Sequence, residues 1–295
     1  MLRWLKGSGA DRAQVERMHA RISDALWETV LAATPFLARL SPQERADLRA
    51  RSAWLLASKH INGAQGLQPT DAMMLAIAVQ ASLPILKLDP ALYAGWDEII
   101  VYPGGFLIPR SHQDEAGVVH EYVQEAAGEA WDGGPVILSW DDADPAGDDN
   151  DASGLHAFNV VIHEFAHKLD LQTGEADGMP ALPRRAGLTP RVWREVLEQS
   201  LDDFTDALEA IEAQIPPDVD PDGPDADPWY SQLPLDPYAA TDEAEFFAVS
   251  SESFFVDPAP LARALPRWYG LLAAYYGQDP LADQPTAAVT TISTL

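Results

Sequence analysis

Cysteine is absent from the 295 residues, which excludes disulfides and thiolate metal ligands, so any zinc has to be held by nitrogen and oxygen. The absence fits a reducing compartment. Basic residues are scarce: 19 Lys and Arg stand against 46 Asp and Glu, a formal charge of −27. That balance argues against nucleic acid, which needs a basic footprint, and against anionic membrane surfaces. Its simplest meaning is solubility. Long apolar runs are also lacking. The longest, residues 72–86, contains Gln80, Ser82 and Pro84, falls short of the roughly 20 residues of a membrane span, and reads as a buried helix. The opening residues turn polar too soon for a secretory signal, and residues 10–21 are heavily charged. The expected compartment is the cytoplasm.

What is present is enough for a core: 47% hydrophobic residues and nine tryptophans. The stretch around which the chain is organised is His163-Glu164-Phe165-Ala166-His167. On an α-helix, residues four apart share a face about 6 Å apart along the axis, so both imidazoles reach one metal ion. Glu164, one step round, points to the edge of that site, where a carboxylate takes a proton from a metal-bound water. Phe158, Val161, Ile162, Phe165, Ala166 and Leu169 recur at helical spacing, and Gly174 is a stop signal.

The first 95 residues read as mostly helical. A stripe of Val15, Met18, Ile22, Leu26 and Val30 predicts a helix over 11–37. Ser41, Pro42 and Glu44 form the opening of a second, and Thr70-Asp71 caps a third that runs through Val79. His19 and His60 are ordinary helix or loop histidines on this reading. From Trp96 the period changes. Residues 98–103, 106–108, 118–123 and 133–140 read as strands. A small sheet followed by a HExxH helix is the order expected of zincin-type metallopeptidases, whose edge strand pairs with an extended peptide. Residues 136–140 are the candidate edge, the alternative being an ordinary core strand. The expected fold class is therefore α+β: a zincin-like domain over 96–280, a helical N-terminal region over 1–95 and a loose tail over 281–295.

Several features are set aside. His120-Glu121 imitates the motif without its second histidine and lies in a strand-like segment. His112 is left open, and His156 reads as a surface histidine at a helix start, with the cleft as the alternative. Residues 141–151 read as a solvated acidic loop. The run Asp218 to Gly223 copies the opening of a calcium loop, but Trp229 stands where a bidentate Glu is required, which favours a linker.

Catalytic zinc takes three protein ligands and leaves a position for water. No histidine follows His167, and Asp170 and Thr173 occupy the positions of the Gly and His of the longer zincin motif, so a downstream carboxylate is required. Glu198 and Asp202 form one candidate pair, but they lie with Glu195, Asp206 and Glu209 on the polar side of a helix. Glu245 is preferred, because it and Glu252 sit on an otherwise aromatic and aliphatic helix where a buried acid needs a partner. Glu252 is either a support for the site or a partner of a basic residue. Asp170 is either an acceptor for the second ring N–H of His167 or a surface residue.

The motifs Gly63-x-x-Gly66-Leu67 with Thr70-Asp71, 100–103, 134–140, 159–170 and 238–249 together resemble the Mlc titration factor A family of zinc peptidases, over roughly residues 11–276. The family's catalytic domain is similar in turn to that of anthrax lethal factor. Carried over by motif, the resemblance implies that His163 and His167 bind one zinc ion, that Glu245 is the third ligand and that Glu164 is the base. It gives Tyr238, seven residues before Glu245, the task of steadying the tetrahedral intermediate. It also implies a cytoplasmic regulatory peptidase with weak activity on small peptides, whose relatives bind the glucose-responsive transcriptional repressor Mlc. A non-catalytic sequestering protein with a structural or vestigial zinc site is the alternative. Two departures stand out: residues 218–227 form a longer acidic insert than the family needs, and the chain is unusually acidic.

Overall fold

Helix boundaries follow from capping chemistry. In the computed structural model, which describes residues 11–113, 119–146, 156–221 and 223–282, the first helical stretch is divided. Ser23 accepts the amide of Leu26 and opens a new helix, so α1 (Arg12–Arg21) and α2 (Asp24–Ala33) replace the single helix expected over 11–37. The capping box of Ser41 and Glu44 is formed as its residues predict and starts α3 (Pro42–Ser58). After β1 (His60–Gly63), Thr70 caps α4 (Asp71–Ser82), which carries the apolar run.

The sheet residues follow: β2 (Glu98–Tyr102), β3 (Phe106–Gln113), β4 (Val119–Ala126), β5 (Gly128–Ala130) and β6 (Val136–Ser139). The short α5 (Trp140–Ala143) leads toward α6 (Val160–Asp170), the HExxH helix. Then come α7 (Pro190–Glu212), α8 (Asp227–Tyr230), α9 (Glu243–Val256), α10 (Pro258–Ala264) and α11 (Pro266–Tyr276). The fold is α+β and zincin-like, as expected. The proposed tail lies almost wholly outside the described residues, as does part of the acidic loop over 141–151, whose first residues are in α5.

Four strands make a mixed sheet in the order β1-β2-β6-β5, with β1, β2 and β6 parallel and β5 antiparallel to β6; β3 and β4 pair separately as an antiparallel hairpin. Residues 136–140 are therefore not the edge. β6 is flanked on both sides, and its fully buried Val136 and Leu138 suit an interior position. The three-residue β5 is the edge instead. Main-chain bonds from Ser139 N–H to the Ala127 oxygen (2.7 Å) and from Trp131 N–H to the Pro135 oxygen (3.2 Å) turn residues 127 and 131 toward β6. By the alternation of an antiparallel ladder, the N–H and C=O groups of Gly128 and Ala130 face the free edge.

α9 is buried nearly all round, from Ala244 to Phe255, and forms the centre of the helical layer. α6 lies against it with Val161, Ile162, Phe165, Ala166 and Leu169 inaccessible to solvent. Phe165 meets Tyr93 and Trp96 edge-on, at ring separations of 5.0 and 5.7 Å. Truncating such a ring to Ala costs about 3–5 kcal/mol, so α6 is held hard. Lys168, buried on the same helix, bonds the carbonyls of Trp131 (2.5 Å) and Gly134 (2.8 Å) and lies over the Trp96 ring. It ties the β5–β6 turn, and with it the free edge, to the HExxH helix.

Candidate metal centre

Asn159 caps α6 by accepting the Ile162 amide at 2.9 Å, and the helix places His163 and His167 one turn apart with their ring centroids 4.7 Å apart. Asp242 caps α9 by accepting the Glu245 amide at 2.9 Å. That brings the Glu245 carboxylate to α6: its Oε2 lies 3.1 Å from His163 Nε2 and 3.4 Å from His167 Nε2, and the two nitrogens are 3.1 Å apart. Three lone-pair donors at these separations repel one another unless a cation lies between them. The edge of a tetrahedron around a metal with bonds of 2.0–2.1 Å is about 3.3 Å, so the donor set fits one ion. Among the described residues, this is the group of His, Cys, Asp and Glu that meets a metal's geometric demand.

The carboxylates and imidazoles of the centre also shift one another's titration. Burial works to raise the Glu245 carboxyl, but the adjoining imidazoles outweigh it and hold the group well below the usual carboxylate range. Burial also opposes a charged His163, and its bonds to Glu245 and Glu252 overcome that. Glu164 differs. It is 4% exposed, its Oε2 has no hydrogen-bond partner among the described residues, and burial pushes its carboxyl up to about 7 against the pull of His163 and His167. A Cβ on Gly128 would come within 2.7 Å of Glu164 Cγ and Val160 Cγ2. The bare backbone of the edge strand therefore lies directly against this carboxylate.

Glu252 resolves in favour of supporting the site. Its Oε1 accepts from His163 Nδ1 at 2.7 Å and its Oε2 from the Asn159 amide at 2.5 Å. A carboxylate on the far ring nitrogen fixes the imidazole's orientation and leaves Nε2 to face a metal. Asp170, by contrast, is fully buried and accepts the Gly178 amide at 2.7 Å. It is not hydrogen-bonded to His167 in the structure, so neither the surface position nor the link to that histidine holds.

Tyr238 lies on the turn Pro237–Ala240, capped by Asp236. Its ring is 6.3 Å from that of His163, and burial together with a hydrogen bond to Glu245 raises its phenol well above the usual range. These groups line a cavity of about 670 Å³ together with Gly128, Ala130 and Phe158. Phe158 precedes the helix cap and is 37% exposed, so it is a cavity residue and no part of the helix stripe. His156 lines the cavity too, with its side chain only 7% exposed, contrary to the surface position favoured from its place in the chain. Glu198 and Asp202 lie exposed on α7 and do not line this cavity. Sequence reasoning missed Gly128 and the cap residue Asn159; an Asn before an apolar helical run was the one available signal for the latter.

A mixed sheet with an antiparallel edge, a HExxH helix below it and a glutamate from the buried helix α9 define a zincin-like protein of the metallopeptidase class. The family described as glucose-regulated metallo-peptidase M90 matches residues 9–277, and the chain belongs to it. Among curated relatives, the Mlc titration factor A of Pectobacterium atrosepticum is 38% identical over 257 residues, 87% of each chain. That of Klebsiella pneumoniae is 36% identical over 86% of each chain. The Yersinia enterocolitica protein of the same name is 34% identical over 96% of this chain and 93% of its own.

Proposed function

We propose that the chain is a zinc-dependent peptidase that hydrolyses peptide bonds through a metal-activated water, with one zinc ion held by His163, His167 and Glu245. The observation that carries this reading is the convergence of those three donors beside the buried Glu164, whose Oε2 has no hydrogen-bond partner among the described residues, and a strand edge that faces away from β6. When bound, zinc supplies a Lewis acid that polarises a carbonyl and acidifies water. The chain's own residues do the rest. The outward N–H and C=O groups of Gly128 and Ala130 pair with an extended peptide and lay its scissile bond over α6. Glu164, as a carboxylate, accepts a proton from the attacking water and passes it to the departing amine nitrogen as the C–N bond breaks. Tyr238 donates its phenolic hydrogen to the oxygen that becomes anionic. Its exposure of 45% leaves the ring free to turn from Glu245 to a substrate.

The decisive comparison is peptide cleavage by wild type and Glu164→Gln at equal zinc content. Loss of at least about a hundredfold is expected; equal cleavage would sink the reading. The relatives' name favours a second role alongside the first, binding of a Mlc-like transcriptional repressor by this chain in the cytoplasm. A purified repressor of that kind, titrated against wild type and Glu164→Gln, tests it: binding to both separates capture from cleavage, and binding to neither removes the role.

A further inference from the structure

Behind the metal centre runs a chain of buried polar groups that peptide hydrolysis itself does not use. Gln80 on α4 is 2% exposed and Asn159 is 7% exposed. Gln80 gives its Nε2 hydrogens to the carbonyls of Ala76 (3.2 Å) and Ala143 (3.1 Å). With both hydrogens committed, its Oε1 must face the other way, and there it accepts from Asn159 Nδ2 at 2.7 Å. Asn159 is fixed in turn, because its oxygen takes the Ile162 amide and its nitrogen donates to the Gln80 oxygen. Its main-chain N–H then meets Glu252 Oε2, while the other oxygen of Glu252 holds His163.

We propose that Gln80 and Asn159 are positioning residues for the metal centre: through Asn159's main chain they fix the Glu252 carboxylate, and through Glu252 the ring of His163. The inference rests on the zinc reading above. Each amide has one orientation that satisfies its neighbours, so the carboxylate is clamped at both oxygens and cannot rotate away from the imidazole. The clamp joins α4, α5, α6 and α9. It makes metal affinity depend on a helix that contributes no ligand.

The test is zinc affinity of the full chain, by competition with a chelator of known affinity, in wild type, Gln80→Met and Asn159→Ser. Met keeps the bulk of Gln80 and loses its polar groups. Ser keeps an oxygen to cap α6 and loses the reach to Gln80. Both variants are expected to bind zinc about tenfold more weakly per folded molecule, near the lower end of the 10–100-fold typical for groups that orient ligands. A merely structural role would lower the melting temperature of the metal-free protein and leave the zinc dissociation constant within twofold of wild type, and that result overturns the proposal. Nitrogen NMR of zinc-loaded wild type needs no variant: the proton of His163 is expected on Nδ1, and its appearance on Nε2 would also overturn it. Failure of wild type to bind zinc would instead remove the functional reading on which the inference stands.

Discussion

The floor of the cleft is made by His163, His167, Glu245 and Glu252 on α6 and α9, whose remaining faces are buried in the core, and each of these side chains has a partner. At the mouth lie Tyr238 and Phe158, 45% and 37% exposed, on a turn and on the residues before a cap. The contrast teaches where each kind of precision is needed. A metal site tolerates little error, so its donors are set by core packing and by the Glu252 carboxylate, which is held at both oxygens. Substrate contacts adapt, so they sit on short connections. Floor substitutions should therefore change metal content, and mouth substitutions should change turnover with the metal retained.

The largest break in that contrast comes from Glu245→Ala, which removes a donor atom. Metal analysis of the purified variant should show zinc falling by far more than tenfold. Glu198→Ala, on the exposed face of α7, should leave zinc unchanged; the reverse pattern would move the third ligand to α7. Tyr238→Phe comes next. Loss of one donor to an oxyanion costs on the order of a hundredfold in kcat, with zinc content and KM nearly intact. Turnover within a factor of about two of wild type, with chemistry rate-limiting, would make Tyr238 a packing residue. Gly128→Ala probes the seam between floor and mouth. Its Cβ has to displace the Glu164 carboxylate or the edge strand, and a loss of about tenfold in kcat is expected at full zinc occupancy. Loss of zinc in this variant would show that floor and mouth are one unit.

How legible the molecule is in its sequence depends on the range of each interaction. The HExxH helix, the Ser41–Glu44 box and β2 are readable because periodicity and caps act within a few residues. β1 and β5, of four and three residues, are too short to show alternation; β1 pairs with β2 some way down the chain, and β5 pairs with β6 just across the following turn. The stripe through Val15, Ile22 and Val30 is buried as expected, yet it crosses a helix boundary, since Ser23 competes for the backbone where the hydrophobic pattern continues. The bond between His163 and Glu252 spans 89 positions and that between Gln80 and Asn159 spans 79. Nothing local announces such contacts. Glu252 stands out only as an acid on an apolar helix, and Gln80 as an amide in an apolar run.

The smallest effect sharpens the contrast at the far end of α6, where Asp170 is as buried as the floor residues but carries no metal to balance it. Burial pushes its carboxyl up to about 7 from 3.8, with Asp177 adding to the rise and the Gly178 amide and His167 opposing it. The folded chain therefore holds this proton more tightly than the unfolded chain does. A raised carboxyl contributes stability that is complete below about pH 4 and is lost as the pH climbs to about 7. Asp170→Asn removes the titration while keeping an oxygen for Gly178. Urea unfolding of chelator-treated wild type and variant at pH 5, 6, 7 and 8 should show wild type losing stability relative to the variant by about 1.4 kcal/mol per unit up to pH 7. Above that the difference should level off. A difference that stays flat from pH 5 to 8 would mean that Asp170 is ionised throughout, so that the Gly178 amide and His167 together hold its charge and the end of α6 is as well compensated as its middle.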